Sequence, residues 1–186
     1  GNYLEYRLQN NIINTIDASY SGSEGIREAF AKSSDILGSF RLVEEKKMIE
    51  DLFREINTNT GKGSYGLQEV IEFLKNNVVK TLLITDNTNL HRVEAACRRC
   101  KHIQEDIVER PLVIPKKTEY KNNPCPECKA MDTEVNEQDI VDYLQIIAAK
   151  TGSQLEVISG SAEHGNMLSS LGKVGAILRY NPGHTK

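Results

Sequence analysis

The chain has 186 residues, with 23 Lys plus Arg against 26 Asp plus Glu, a net charge of −3, and 39% hydrophobic content. That balance excludes a disordered chain and a surface basic enough to grip nucleic-acid backbone throughout. The length allows roughly 70% of the unfolded surface to be buried without help from disulfides.

The longest apolar runs, Leu82–Ile84 and Ile146–Ala149, fall far short of the about 20 residues that a membrane helix needs. Gly1–Glu5 carries no signal-peptide pattern, so a cytoplasmic setting is expected. The chain begins at Gly1 rather than Met, which reads as a piece of a longer protein.

In chain order, Asn2–Gln9 reads as the end of an incoming helix or linker, and Asn11–Ala18 as a strand with Ile12, Ile13 and Ile16. Ser23 is placed to cap a helix over 24–37, with Ile26, Phe30 and Ile36/Leu37 on one side and Gly38 as its stop. Leu42–Ile56 repeats Ile49, Leu52, Phe53 and Ile56 at helical spacing. Glu44-Glu45-Lys46-Lys47 in that helix has the sign order of exposed i,i+3 pairs. Asn57–Ser64 is a loop, and Leu67–Asn76 a short helix with Leu67, Val70, Ile71 and Leu74 facing inward. Val79–Thr85 is a continuous apolar strand, the pattern of a strand covered on both faces.

From about Arg92 to Asp132 the composition changes. This stretch holds every cysteine and most of the prolines, with few large apolar residues, and reads as an inserted hairpin. Asn136 is a candidate cap for a helix to Lys150, ended by Gly152. Leu155–Ser159 is a strand, Glu163–Leu171 a helix and Gly175–Tyr180 a last strand. The expected fold class is α/β: an α/β/α layered domain with a mixed, mainly parallel sheet and an inserted zinc-binding β-hairpin subdomain.

The cysteines form two pairs, Cys97-Arg98-Arg99-Cys100 and Cys125-Pro126-Glu127-Cys128, with 24 residues between them. Two CxxC knuckles can bring four thiolates onto one ion in the tetrahedron Zn2+ prefers, although the gap slightly exceeds the usual about 15–20 residues. Arg98, Arg99 and Lys101 would offset the thiolate charge. A redox CxxC, unmetallated thiols, or iron in place of zinc remain open. Four cysteine ligands leave no open position, so the expected zinc is structural rather than catalytic.

The chain shows little of a catalytic constellation. Asn59–Ser64 resembles a phosphate loop, but Ile56 stands where its first Gly belongs and Gly63 where Ser or Thr should follow Lys62. His91, His102, His164 and His184 lack an evident acid or nucleophile partner, with His102 a candidate neighbour of the metal site. Ser161-Ala162-Glu163-His164 fits helix capping better than catalysis. No enzyme activity is expected from this chain alone.

Several segments together resemble the C-terminal domain of the class-one peptide chain release factors of archaeal and eukaryotic type. They are Asp17–Arg27, Val43–Ile49 with its Glu45-Lys46-Lys47, Tyr65–Val70 followed by Val79–Asp86, and Ala176–Tyr180 reading AILRY. The resemblance runs from about residue 2 to 182, and the four cysteines point to the archaeal branch. Pelota, the ribosome-rescue paralogue, is a close alternative that typically lacks the cysteines.

The resemblance implies residues 1–10 as a linker from an absent middle domain, 11–186 as the C-terminal domain and 92–132 as a zinc-binding minidomain. The NIKS and GGQ motifs, which in this family read the stop codon and trigger peptide release, are not in the chain. The implied role is partner docking: to an elongation-factor-type translational GTPase, to the ribosome, and to an ABC-type recycling ATPase, with no membrane or DNA partner. Implied contacts lie on helical surface, with Met48, Leu52 and Phe53 as candidates, although Phe53, in the apolar stripe, suits a core better.

A direct RNA-binding module is the rival. The 92–132 stretch carries Arg98, Arg99, Lys101, Arg110, Lys116, Lys117 and Lys121, but also Glu105, Asp106, Glu109, Glu119 and Glu127 and one aromatic, Tyr120.

Overall fold

The computed structural model describes residues 12, 15–19, 21–58 and 60–183. The chain divides into two units, Gly1–Met48 and Ile49–Lys186.

In the first unit, Ile12 and Thr15–Ala18 carry no strand, and the rest of the expected Asn11–Ala18 strand lies outside the described residues, as does the Asn2–Gln9 linker. The main element is helix α1, Ser23–Asn57, 35 residues long and continuing into the second unit. It replaces the two helices expected from sequence. Gly38 does not stop it, because a helical Gly costs only about 1 kcal/mol and nothing there forces the left-handed turn that ends a helix. Ser23 is the first helical residue rather than the cap, and the carbonyl of Gly22 accepts from the Ile26 N–H at 3.1 Å.

Glu28 ties the preceding segment to the helix. It accepts from the Ser19 N–H at 2.8 Å and from Lys32 Nζ at 2.7 Å. Glu45 is not on a solvated face but 6% exposed, held by Arg41 Nε at 3.0 Å.

The second unit has two sheets. The first contains β1 (Gly63–Tyr65), β2 (Val79–Thr85), β6 (Gln154–Ile158) and β7 (Val174–Leu178), in the order β1-β7-β2-β6. It is mixed, as expected, but only β2 and β6 run parallel; β7 is antiparallel to both β1 and β2. β1 occupies part of the expected 57–64 loop, which removes the strand–loop–helix setting a phosphate loop needs.

Helices α2 (Leu67–Lys75) and α4 (Ile140–Thr151) cover one face, where Val70, Leu74 and Leu144 meet Leu82, Ile84 and Ala176. Leu83 points to the other face, opposite Gly175 in register. There Leu52 of α1 and Leu168 of helix α5 (Glu163–Ser170) close over the glycine. A Cβ at Gly175 would lie 2.5 Å from Leu52 Cδ2, so only glycine admits this approach. The α/β/α layering follows, and Leu82–Thr85 is buried throughout, as the unbroken apolar run requires.

The second sheet is β4-β3-β5, all antiparallel: β3 (Leu90–Cys97), β4 (Ile103–Glu109) and β5 (Thr133–Asp139). The hairpin expected here is thus β3–β4 plus a third strand. A 3-10 turn at Arg110–Leu112 leads into helix α3 (Val113–Asn122), which covers one face of the sheet. The sheet has its own small core of Val93, Ala95, Val113 and Tyr120, while Leu90 and Ile107 at its base join the main core. Asn136 lies in β5. The cap of α4 is Asp139, whose Oδ1 accepts from the Val141 N–H at 2.8 Å, and Gly152 ends the helix at φ 62°.

Candidate metal centre

The two knuckles fold by the same local rule. In the first, the Lys101 N–H donates to the Cys97 carbonyl at 2.9 Å and the Cys97 N–H donates to the His102 carbonyl at 2.9 Å. In the second, the Lys129 N–H donates to the Cys125 carbonyl at 2.9 Å and the Cys125 N–H donates to the Ala130 carbonyl at 2.8 Å. Each turn closes through a lysine in left-handed conformation, Lys101 at φ 65° and Lys129 at φ 59°. The sequence signal is a repeated Cys-x-x-Cys-Lys, whose lysine carries backbone information that spacing alone does not reveal.

The ends of β3 and β4 hold the first knuckle, and the turn between α3 and β5 presents the second. All four Sγ atoms lie within 4.8 Å of one another. Cys97 and Cys128 are 3.5 Å apart, and Cys100 and Cys125 3.6 Å. A tetrahedral ion with about 2.3 Å metal–sulfur bonds needs sulfurs about 3.8 Å apart, so the donor set fits with little adjustment. The same distances exclude a formed disulfide, which needs about 2.05 Å. No other group of three or more His, Cys, Asp or Glu among the described residues is close enough to hold an ion.

Four thiols this close cannot all ionise unaided. Backbone N–H donation from Cys100, and then from Arg99, favours the Cys97 thiolate and brings that thiol down to about 6. The His102 N–H favours the Cys100 thiolate, but burial and the neighbouring sulfurs outweigh it and push Cys100 up to about 12. Arg98 pairs with Glu134 at 3.4 Å and Asp132 at 3.8 Å, while Arg99 and Lys101 make no ion pair among the described residues.

The RNA reading loses its one candidate stacking ring. Tyr120 is 8% exposed and its hydroxyl donates to Asp106 Oδ2 at 2.6 Å, so its ring is not free to stack on a base. Lys116 pairs with Asp106 and Glu119, and Lys117 with Glu137. Ser161 does not cap α5; its Oγ meets Ser159 Oγ at 3.0 Å, and the cap position is Ala162.

Of the candidate contact residues, Leu52 is 0% exposed and seated on Gly175, which leaves it no surface for a partner. Met48 and Phe53 are each half-buried. Two residues with no local sequence signal organise the second unit. Arg92 stacks on the Tyr143 ring at 4.6 Å and reaches Glu94 and, at 2.7 Å, Glu105. Arg179, of the AILRY segment, donates to the carbonyls of Val79 at 3.0 Å and of Thr151 and Gly152 at 2.9 Å, tying β2 to the C-terminus of α4.

Fold and site together define the class: a mixed-sheet α/β domain bearing a three-stranded sheet with a double cysteine knuckle. The family model for eRF1 domain 3 matches residues 42–182, and the chain belongs to that family. It is 31% identical over 182 residues to peptide chain release factor subunit 1 of Methanocaldococcus jannaschii, covering 97% of this chain and 43% of that protein. The chain thus spans less than half the length of this relative. The C-terminal domain of a peptide chain release factor from Methanosarcina mazei superposes with a TM-score of 0.75 at 27% identity, covering 89% of this chain and 99% of that one. A ribosome-bound archaeal Pelota, solved with ABCE1, shares the fold at a TM-score of 0.50 and 22% identity, over 88% of this chain and 34% of that one.

Proposed function

We propose that this chain is the partner-docking domain of a translation termination factor, acting in the cytoplasm and performing no catalysis of its own. The observation that carries this reading is the family match across residues 42–182, on a scaffold whose candidate reactive groups are dispersed or engaged in structural bonds. Its partners are the delivering elongation-factor-type GTPase, the ribosome and the ABC-type recycling ATPase. The Pelota–ABCE1 assembly supports the last two, since that Pelota shares the fold. Stop-codon reading and peptidyl-tRNA hydrolysis belong to other domains of the full protein.

Cys97, Cys100, Cys125 and Cys128 bind one structural Zn2+, supported by the fit of four thiols to a closed tetrahedron. The ion would supply cross-linking of the two knuckles and no reactive position. Met48 and Phe53 are each proposed as contact residues, being partly exposed.

The test is calorimetric titration with an archaeal elongation-factor-type GTPase carrying a GTP analogue or GDP, at two salt concentrations. Saturable binding weakened by Met48→Ala is the expected result. RNA binding without GTPase binding would overturn it.

A further inference from the structure

Helix α3 covers only one face of the β4-β3-β5 sheet. The other face, presenting Arg92 and Glu94 of β3 and Glu105 and Ile107 of β4, meets α2 across a trough of about 500 Å3. Its apolar floor is half-buried Ile107 from β4, flanked by Ile71 from α2 and Tyr143 from α4, which are 7% and 9% exposed.

The charges of this trough are unequal. Lys75 is taken by Glu105 at 3.0 Å, and Arg92 by Glu94 and Glu105. Asp106 is satisfied by Lys116 at 3.1 Å and by the Tyr120 hydroxyl. Those pairings use every cation of the lining and leave two carboxylates on α2 without one. Among the described residues, Glu69 accepts the Ser64 hydroxyl at 2.9 Å and makes no ion pair, and Glu72 is exposed with no ion pair. Gln68 and Glu72 of α2 and its C-terminal cap Asn76 line the trough at four-residue steps. At about 1.5 Å per helical residue this row is about 12 Å long, the reach of about four extended residues at about 3.3 Å each.

We propose that this trough docks an extended, cationic segment of a protein partner. The segment places an Arg or Lys against Glu72 and an apolar side chain toward Ile107, with its backbone polar groups beside the Gln68 and Asn76 amides. The surplus negative charge repels a phosphate backbone and attracts a basic peptide. Half-buried Ile107 at the floor supplies an apolar contact that a row of surface carboxylates by itself lacks. Its lining shares no residue with the metal centre and includes neither Met48 nor Phe53, so it stands or falls independently of the GTPase reading.

The experiment is selection of a random heptapeptide display library on the whole chain, followed by fluorescence titration of the enriched heptapeptides. Enrichment of Arg or Lys next to an apolar residue is expected, with amide shifts at Ile71, Ile107 and Tyr143. Glu72→Lys should weaken binding about tenfold, since reversing one charge about 6 Å from a cation at water-like screening changes affinity by that order. Glu163→Lys, the same charge change on α5, should leave it unaltered. Enriched peptides without basic residues, equal weakening by both variants, an RNA oligonucleotide that displaces the peptide, or no enrichment would each overturn the proposal. Glu72 is exposed and makes no ion pair among the described residues, so an unchanged unfolding midpoint in Glu72→Lys shows that lost binding is not lost folding.

Discussion

The seat of Leu52 on Gly175 can be tested by a double-mutant cycle. A methyl group at Gly175 would approach Leu52 Cδ2 to 2.5 Å and Leu168 Cδ1 to 3.2 Å, and both leucines are 0% exposed. Neither can swing into solvent, so Gly175→Ala overpacks this face of the sheet and should cost about 1–3 kcal/mol. Leu52→Ala removes a buried side chain, leaves a cavity, and should cost about 3–5 kcal/mol. In the double variant the methyl added at position 175 enters space vacated by the Leu52 side chain. The combined loss should therefore fall short of the sum by at least about 1 kcal/mol. Urea unfolding followed by far-UV circular dichroism, with the slope checked for constancy, measures all three. Costs additive within about 0.5 kcal/mol would refute the close approach. A Leu52→Ala variant that loses less than about 1 kcal/mol would return Leu52 to the surface as a candidate contact.

Other expectations follow from the same structure. Chelation, or Cys125→Ser, should release the metal and collapse the amide signals around both knuckles while those of Leu82–Thr85 persist, because the second sheet has its own small core; loss of both sets together in a two-dimensional NMR spectrum would show one cooperative core. Metal binding must expel the proton that Cys100 holds up to about 12, whereas Cys97, near about 6, is largely ionised at neutral pH. Affinity should thus rise with pH, and calorimetric heats should depend on buffer ionisation enthalpy; pH-independent binding would contradict this. Tyr120→Phe removes the 2.6 Å bond to Asp106 and should cost about 1–2 kcal/mol. The Tyr120 hydroxyl, and then Lys116, hold the Asp106 carboxyl below its ordinary range. A depressed folded-state value gives stability that is present above the unfolded value of about 3.9 and lost as pH falls through the folded one. The penalty of Tyr120→Phe should therefore be constant near neutrality and shrink in acid, and a penalty unchanged in acid would exclude the carboxylate as partner. Arg179→Ala leaves the carbonyls of Val79, Thr151 and Gly152 without that donor and should lower stability by about 2–3 kcal/mol in thermal unfolding, while a near-neutral result would mean water replaces the guanidinium.

Much of the fold was legible because local pattern and burial agree there. Leu82–Thr85 is apolar without alternation and lies between two helical layers, and Gly152 ends α4 where a left-handed residue is needed. The cysteine spacing was legible for the same reason, since a knuckle is closed by bonds within about six residues. Gly38 misled because glycine weakens a helix without ending it, and Asn136 because capping competes with strand pairing, here to Glu94.

What the sequence by itself determined was the set of local answers: an α/β domain, two knuckles able to share an ion, and a family resemblance that the matched segments support. Which way β7 runs, that Leu52 is core rather than surface, that Arg92 lies on Tyr143, and that α2 faces an uncovered sheet across an acidic trough were decided only by the tertiary structure. The physical reason is range. Helix periodicity, turns and knuckles are set by neighbours within a few residues, whereas burial and charge pairing depend on groups the chain brings together from far apart, as Leu52 meets Gly175 and Lys75 meets Glu105.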